Sequence, residues 1–156
     1  MSQTHVFAPV EGRAMALSAV PDPVFSGGMV GYGAAVDPPH EVIYAVAPVG
    51  GKILKLLPHA YVIMTADNVG ILVHLGLDTV TLNGEGFTAQ VAQGDTVEAG
   101  QPVIIYDVPA IVAAGLSPVV PVVVMDEREP ANVVVAEDVN AGAAIACCAP
   151  LFIASK

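Results

Sequence analysis

The hydrophobic positions of the chain fall in short runs rather than at helical intervals. Runs rich in Val, Ile and Ala are bounded by Gly, Pro, Asn or Asp, as in residues 41–48 and 119–126. Such runs are typical of strands. One helix is predicted over residues 108–115, because Pro109 suits a first helical turn and Gly115 a helix end. The pattern predicts an all-β protein, an antiparallel β-sandwich or barrel with at most short helices.

Two short sequence matches indicate an internal duplication. Residues 8–13 (APVEGR) recur as residues 47–52 (APVGGK), at an offset of 39. Residues 97–100 (VEAG) recur as residues 139–142 (VNAG), at an offset of 42. Chance could produce either match alone in a chain rich in Val, Ala and Gly. Because both occur in the same order, they predict a duplicated β-unit of the hybrid-motif type, whose halves pack face to face and bury their apolar faces.

The length and composition favour one folded domain. The 156 residues suit a single domain, 1–156, with a sizeable core. Hydrophobic residues make up 54%, but Gly, Pro, Asp or His interrupts each apolar run before it could span a membrane. Residues 1–5 lack the basic start and apolar core of a secretory signal. We therefore expect a cytoplasmic protein without direct membrane insertion.

The charge balance is strongly acidic. The formal net charge is −10, and the fixed cations are Arg13, Lys52, Lys55, Arg128 and Lys156. A phosphate backbone would be repelled, so nucleic acid is not an expected partner. A basic protein partner fits the charge, although acidity for solubility explains it equally well.

The two cysteines, Cys147 and Cys148, are adjacent in the chain. Neighbouring residues have poor geometry for a disulfide, and the pair matches neither a redox motif nor a zinc-ligand spacing. We expect these thiols to be buried and inert.

The candidate chemistry lies at two histidines. His74 interrupts an otherwise apolar segment over residues 70–80, and His59 ends the segment before it. Burying an imidazole requires hydrogen-bond partners that Val and Leu side chains cannot supply, which favours a functional group here. A satisfied structural histidine is the alternative for either residue taken alone.

The sequence around both histidines resembles a known protein family. Residues 74–87 (HLGLDTVTLNGEGF) resemble the stretch around the phosphoryl-carrying histidine of the glucose-type enzyme IIA of the bacterial phosphoenolpyruvate-dependent sugar phosphotransferase system. Residues 59–61 (HAY) resemble the segment of that family's second histidine. Further family landmarks agree over residues 8–12, 20–26, 29–31 and 94–97, so the resemblance covers nearly the whole chain.

This resemblance implies roles for the two histidines. His74 would accept a phosphoryl group from the histidine-phosphorylated carrier protein and pass it to a cysteine of an enzyme IIB domain. His59 would donate a hydrogen bond to a phosphoryl oxygen. Regulatory proteins are further candidate partners. The scheme needs no cofactor and no metal of its own, although the family suggests a zinc ion shared between the histidine pair and a partner's carboxylate.

Four other residues receive supporting interpretations. Gly76 removes side-chain bulk beside His74. Asp78 orients an imidazole or repels the phosphoryl group from nonproductive positions, or is an ordinary turn aspartate. Strand alternation places Asp78 on the side of His74 only if the strand continues regularly past Gly76. Phe25 and Leu72 form an apolar rim that docks partners, with core packing as the alternative for Phe25.

Two departures from the family pattern leave details open. Pro58 directly precedes His59, so the family threonine near the histidine pair has no counterpart and the group that orients the imidazole is not identified. Asn68 occupies a hairpin position where Gly is usual. Asn tolerates the left-handed conformation, so the hairpin is still expected.

Other function classes fit the sequence less well. Residues 94–101 resemble the turn of biotinyl- and lipoyl-type binding modules, but no lysine stands in the setting those modules modify, the lysines being Lys52, Lys55 and Lys156. A zinc peptidase would need a histidine-x-histidine pair. That spacing is absent among His5, His40, His59 and His74. A purely structural protein would lose only stability when His74 is altered.

Overall fold

The computed structural model describes residues 3–125, 127, 129–136, 139 and 142–155. In chain order its strands and α-helices are β1 (Gln3–Phe7), β2 (Gly12–Ala16), α1 (Pro23–Ser26), β3 (Gly31–Asp37), β4 (Val42–Val46), β5 (Gly51–Leu57), β6 (Ala60–Met64), β7 (Gly70–His74), β8 (Phe87–Ala89), β9 (Thr96–Val97), β10 (Pro102–Asp107), α2 (Val108–Ala113), β11 (Val120–Met125), β12 (Val133–Val135), β13 (Ala144–Ile145) and β14 (Pro150–Ser155). Single 3-10 turns lie at Leu17–Ala19, Thr79–Leu82 and Pro130–Asn132.

These strands form one large sheet and two small ones. The large sheet has the order β13-β2-β3-β11-β7-β6-β5-β9, and the small sheets have the orders β1-β14-β12 and β4-β10-β8. The pairings are antiparallel, for example β7 with β6 and with β11. The predicted all-β class with short helices is confirmed. Helix α2 begins beside Pro109 and is followed by Gly115 at φ +81, as the sequence predicted.

The sheet orders also confirm the predicted duplication. The first half consists of β1–β3 and β11–β14, and the second half consists of β4–β6 and β7–β10, matched in that order. This matching turns the small sheet β1-β14-β12 into the small sheet β4-β10-β8. It turns the order of the large sheet into the same order read backwards. The backbone bonds between the halves are reciprocal. The Phe7 N–H donates to the Pro48 carbonyl at 3.0 Å, and the Val46 N–H donates to the Pro9 carbonyl at 2.9 Å. The offset of 39 read from the sequence relates both pairs.

The second sequence match, at an offset of 42, was wrong. Val97 pairs with Gly51, and Ile145 pairs with Gly12, so the matching strands β9 and β13 lie 48 residues apart. The turns that follow β9 and β13 show the same offset of 48. The Gly100 N–H donates to the Ala47 carbonyl, and the Cys148 N–H donates to the Ala8 carbonyl. Residues 140 and 141 of the predicted match lie outside the described residues.

The hydrophobic core is shared by both halves. Val73 of β7 pairs with Val122 of β11 at the middle of the large sheet, and both are fully buried. The main core cluster draws on strands of both halves. A second cluster lies under residues 17–30 and contains Phe25 and Val123. In the part of the chain that the structure describes, no helix is long and apolar enough to cross a membrane.

The two cysteines are exposed, so the prediction of buried thiols was wrong. They lie in the turn between β13 and β14, outside both strands. Their adjacency gave no information about burial, because Cys is common in cores and only the position of the turn decides its exposure here.

Candidate functional site

Strands β6 and β7 bring the two predicted histidines together. His59 directly precedes β6, His74 ends β7, and Ala60 lies opposite His74 in the ladder. The Leu75 N–H donates to the His59 carbonyl at 2.7 Å, which extends the pairing past the end of β7. The centroids of the two imidazole rings are 5.1 Å apart, in a T-shaped arrangement. Both rings are therefore positioned by regular strand pairing.

The His74 ring is oriented by a backbone group. Its Nδ1 lies 2.6 Å from the Gly76 carbonyl oxygen. A carbonyl can only accept, so Nδ1 carries the proton and the neutral ring has its lone pair at Nε2. Burial lowers the pKa of His74 below the usual 6.5, outweighing the bond to Gly76 and the carboxylates of Asp22 and Asp78, which raise it. At neutral pH the ring is uncharged, with Nε2 ready to act as a nucleophile.

His59 has a similar electrostatic setting. It is only 9% exposed, and burial, followed by the neighbouring His74, lowers its pKa below 6.5. The Phe87 ring lies 6.5 Å from the His59 ring between centroids, and Phe87 stacks in turn on Tyr106 at 5.6 Å. Aromatic packing by Phe87 thus supports the His59 ring.

Gly76 does more than remove bulk beside His74. Its φ is +81, a conformation that Gly adopts readily and other residues rarely adopt. Its N–H donates to the Val119 carbonyl at 3.1 Å, and the next residue, Leu77, donates to the Ser117 carbonyl at 2.9 Å. These bonds fix the peptide whose carbonyl binds the imidazole. The group that orients His74, which the sequence did not identify, is this carbonyl.

Asp78 lies beyond the end of β7, so strand alternation does not govern its direction. It has φ +59 and precedes the 3-10 turn at Thr79–Leu82, where its carbonyl accepts the Thr81 hydroxyl. Its charge raises the pKa of His74. The structure therefore assigns Asp78 a turn position with an electrostatic influence on His74.

Phe25 and Leu72 pack beside the site. Phe25 is 6% exposed, and its ring centroid lies 5.2 Å from that of His74. Leu72 is half-buried against the same cluster. Helix α1 sets the position of Phe25, since the Asp22 carboxylate accepts the Val24 N–H at 2.9 Å. Of the two interpretations of Phe25, its burial fits core packing.

Sequence reasoning missed several residues around the site. Val24, Met29 and Val80 are 45%, 63% and 61% exposed. Val24 lies in α1 with Phe25, Met29 follows that helix, and Val80 lies in the 3-10 turn that follows β7. Thr79 is fully buried, and its hydroxyl donates to the Leu75 carbonyl at 2.8 Å. Thr79 lies within the motif already noted, but Val, Met and Thr occur throughout the chain and gave no separate signal.

Comparison with known proteins bears on this geometry. The family model for the phosphoenolpyruvate-dependent sugar phosphotransferase system, EIIA 1, matches residues 4–129. The chain belongs to this EIIA family. The glucose-specific EIIA component of Oceanobacillus iheyensis is 39% identical over 142 residues, which cover 88% of this chain and 84% of that protein. The glucose permease IIA structure from Mycoplasma capricolum is 30% identical, with a TM-score of 0.85, and the match covers 98% of this chain and 96% of that one.

Other EIIA relatives are parts of longer proteins. The beta-glucoside-specific EIIBCA component of Bacillus subtilis is 39% identical over 125 residues, which cover 79% of this chain but 20% of that protein. EIIA domains thus occur both as shorter chains and joined to EIIB and EIIC units. The family supports a phosphoryl-carrier role in a sugar phosphotransferase system that works with EIIB domains.

Proposed function

We propose that this EIIA chain carries a phosphoryl group on Nε2 of His74, taking it from a histidine-phosphorylated carrier protein and passing it to a cysteine of an EIIB domain. One observation carries the proposal. The bond from Nδ1 to the Gly76 carbonyl leaves the lone pair on the other ring nitrogen of an uncharged imidazole. Phosphoryl transfer needs an unprotonated nucleophile aligned with the leaving atom.

The Gly76 carbonyl also suits the charge changes of the transfer. When Nε2 forms its bond to phosphorus, the donor's N–P bond breaks and the donor nitrogen keeps the electron pair. The His74 ring then becomes more positive, and the bond from Nδ1 to the carbonyl oxygen strengthens. An acceptor fixed in advance by backbone bonds requires no rearrangement at that moment.

His59 assists rather than accepts. Its ring lies close enough to His74 to donate a hydrogen bond to an oxygen of a phosphoryl group held there. In the free protein its pKa is lowered, so it is uncharged at neutral pH. A phosphoryl group brings negative charge, which favours a protonated His59. Loss of His59 should therefore impair onward transfer more than acceptance.

The surface around the histidines suits protein partners. Val24, Met29 and Val80 supply exposed apolar area, while Asp22 and Asp78 supply negative charge near His74. An apolar centre with charged surroundings is typical of transient interfaces, and acidic groups attract a basic donor. We propose that these residues, together with Leu72, form the docking surface. We also propose that the protein acts in the cytoplasm, where such donors act.

Labelling with phosphoenolpyruvate, enzyme I and the small carrier protein tests the proposal. The native chain is compared with His74→Gln and His59→Gln, and with His40→Gln as a matched control at an exposed histidine. Label should be acid-labile and alkali-stable, absent from His74→Gln, and unchanged in His40→Gln. His59→Gln should take up label but lose transfer to an EIIB domain.

The outcomes separate the alternatives. Equal labelling of His74→Gln would refute the assignment of the acceptor. A native chain that takes up no label, although folded by circular dichroism, would refute phosphoryl carriage and favour a binding module. Normal onward transfer by His59→Gln would remove only the assisting role.

A further inference from the structure

The turn between β13 and β14 presents a close pair of thiols that the proposed phosphoryl transfer does not use. The Sγ atoms of Cys147 and Cys148 lie 3.4 Å apart, and both residues are exposed. The Cys148 N–H donates to the Ala8 carbonyl at 2.9 Å, which ties this turn to the segment after β1. The pair is thus accessible and held by the fold.

The backbone at Cys148 is unusual for a cysteine. Its φ is +72, and the matching residue of the other half, Gly100, has φ +88. Left-handed conformations favour Gly and disfavour residues with a Cβ. The matching N–H bonds, from Cys148 to Ala8 and from Gly100 to Ala47, impose the same turn on both halves. The duplicated fold, rather than any preference of cysteine, sets the direction of this thiol.

We propose that Cys147 and Cys148 form a two-thiol site for thiophilic trivalent metalloids, such as a trivalent arsenical with one organic substituent. An atom that bridges two sulfurs through bonds of about 2.3 Å, the length of a zinc–sulfur bond, holds them roughly 3.4 Å apart when the two bonds meet at a little over a right angle. The observed spacing of 3.4 Å therefore accepts a bridging atom without rearrangement.

The number of donors also selects this chemistry. A structural zinc ion takes four protein ligands. Among the residues described here, no cluster of three or more His, Cys, Asp and Glu side chains could hold a metal ion. A trivalent arsenical already carries one carbon substituent and needs two sulfurs. A surface cavity of about 210 Å³ beside Cys148, lined also by Phe7, Ala99 and Gly100, offers room for that substituent.

Direct oxidation to a disulfide fits the geometry less well. A disulfide bond is about 2.05 Å long, so the sulfurs would have to approach by more than about 1 Å within a small ring. Although Cys147 is exposed as a residue, partial desolvation of its thiol, with a smaller effect of the neighbouring Cys148, raises the pKa of Cys147 to about 12. A thiol that stays protonated at neutral pH is a poor nucleophile for disulfide exchange, whereas the oxygen of the arsenical takes up the thiol proton as the arsenic–sulfur bond forms.

Metalloid capture needs no oxidant or reductant. With phenylarsine oxide, the bonds between arsenic and oxygen break and two arsenic–sulfur bonds form. The two thiol protons leave with the oxygen as one water molecule. Arsenic remains trivalent and both sulfurs remain at the thiol oxidation level, so the step balances.

The test uses the reduced, folded chain and one equivalent of phenylarsine oxide, followed by intact-mass spectrometry. We expect a one-to-one adduct that resists excess 2-mercaptoethanol and is released by 2,3-dimercaptopropanol. Cys148→Gly keeps Cys147 and places Gly where the matching half has Gly100, so it should fold normally. Cys147→Ser is the reciprocal variant. Both should release arsenic to the monothiol about 100-fold faster, because two-point attachment is lost.

Two results would overturn the proposal. One is a native chain that forms no adduct although its thermal unfolding shows that it is folded. The other is an adduct on folded Cys148→Gly that resists the monothiol as well as the native adduct does, since that would show attachment through one thiol only. His74 labelling is a separate readout, so failure of this proposal is distinguishable from failure of phosphoryl carriage.

Discussion

Replacing Gly76 by alanine tests whether the backbone beside His74 is as tightly fixed as the structure indicates. A Cβ at Gly76 would lie 2.6 Å from Cγ2 of Thr79. It would also lie 3.0 Å from the Ser117 carbonyl oxygen and 3.1 Å from the Tyr106 hydroxyl. Thr79 cannot swing away, because it is fully buried and its hydroxyl is bonded to a backbone carbonyl. The peptide at Gly76 must therefore shift.

Gly115 provides a matched control for the size of this effect. It has the same φ of +81, but a Cβ there would meet nothing within 4 Å. Gly115→Ala should lose only the left-handed preference of glycine, about 1–2 kcal/mol in the free energy of unfolding. Gly76→Ala adds overpacking of about 1–3 kcal/mol, for a total of about 2–5 kcal/mol. The shifted carbonyl should also slow phosphoryl acceptance by His74 about 10- to 100-fold.

Urea unfolding and initial rates of labelling measure both effects. Thr79→Ser removes the nearest carbon and keeps the hydroxyl, so adding it to Gly76→Ala should restore about 1 kcal/mol relative to the sum of the single variants. Equal destabilisation by Gly76→Ala and Gly115→Ala, with labelling unchanged in both, would refute the reasoning. It would mean that the turn yields easily and that the Gly76 carbonyl does not control His74.

Two further predictions concern burial. Because the pKa values of His59 and His74 are lowered by burial, the native chain binds fewer protons than the unfolded chain as pH falls below about 6.5. The free energy of unfolding should therefore fall as the pH falls. Urea unfolding from pH 8 to 5 should show a smaller fall in this free energy when His59 and His74 are both replaced by Gln. The same pH dependence in the native chain and the double variant would contradict this. Tyr61→Phe removes the 2.7 Å buried bond to the Val46 carbonyl and should cost about 1–3 kcal/mol in urea unfolding. Tyr44→Phe, at an exposed tyrosine, should change the free energy of unfolding by less than about 0.5 kcal/mol. Equal destabilisation by Tyr61→Phe and Tyr44→Phe would refute the role of the buried bond.

Much of the fold could be predicted because strands and turns leave local patterns. The runs at residues 41–48 and 119–126 contain β4 and β11, and the offset of 39 related two true counterparts. The second offset failed for a physical reason. The residue that matches Gly100 is Cys148, which adopts the same left-handed turn without being glycine. The sequence comparison therefore aligned Gly100 with a nearby glycine, Gly142, instead of with Cys148. The resulting register was wrong.

The site was predicted by its side chains and missed where it depends on the backbone. Sequence reasoning selected His74 because it interrupts an apolar segment and selected both histidines by the family resemblance, and the structure brings the two rings together. The carbonyl that orients His74 belongs to Gly76, and a carbonyl leaves no trace in residue identity. Strand alternation does not extend to Asp78, because β7 ends at His74. Single-residue patterns cannot show where a ladder stops when the following residues are also apolar.

The two histidines lie in one half of the duplicated fold, and their counterparts in the other half are different residues. Met64 lies opposite Lys52 and Asp37 lies opposite Arg13, so Met64 and Asp37 are counterparts. Tyr32 precedes Asp37 by as many residues as His59 precedes Met64. Tyr32 is therefore the counterpart of His59. Val73 and Val122 are each other's counterparts, so Val123 is the counterpart of His74.

The connections between matching strands then differ in length. β5 and β6 are joined by residues 58–59, whereas β2 and β3 are joined by residues 17–30. The longer connection buries Val123 and places Phe25 of the same cluster against the His74 ring. It therefore covers the matching position in one half and packs against the His74 ring of the other. The histidine pair thus lies in one half, and the longer connection of the other half packs across the centre of the large sheet beside it.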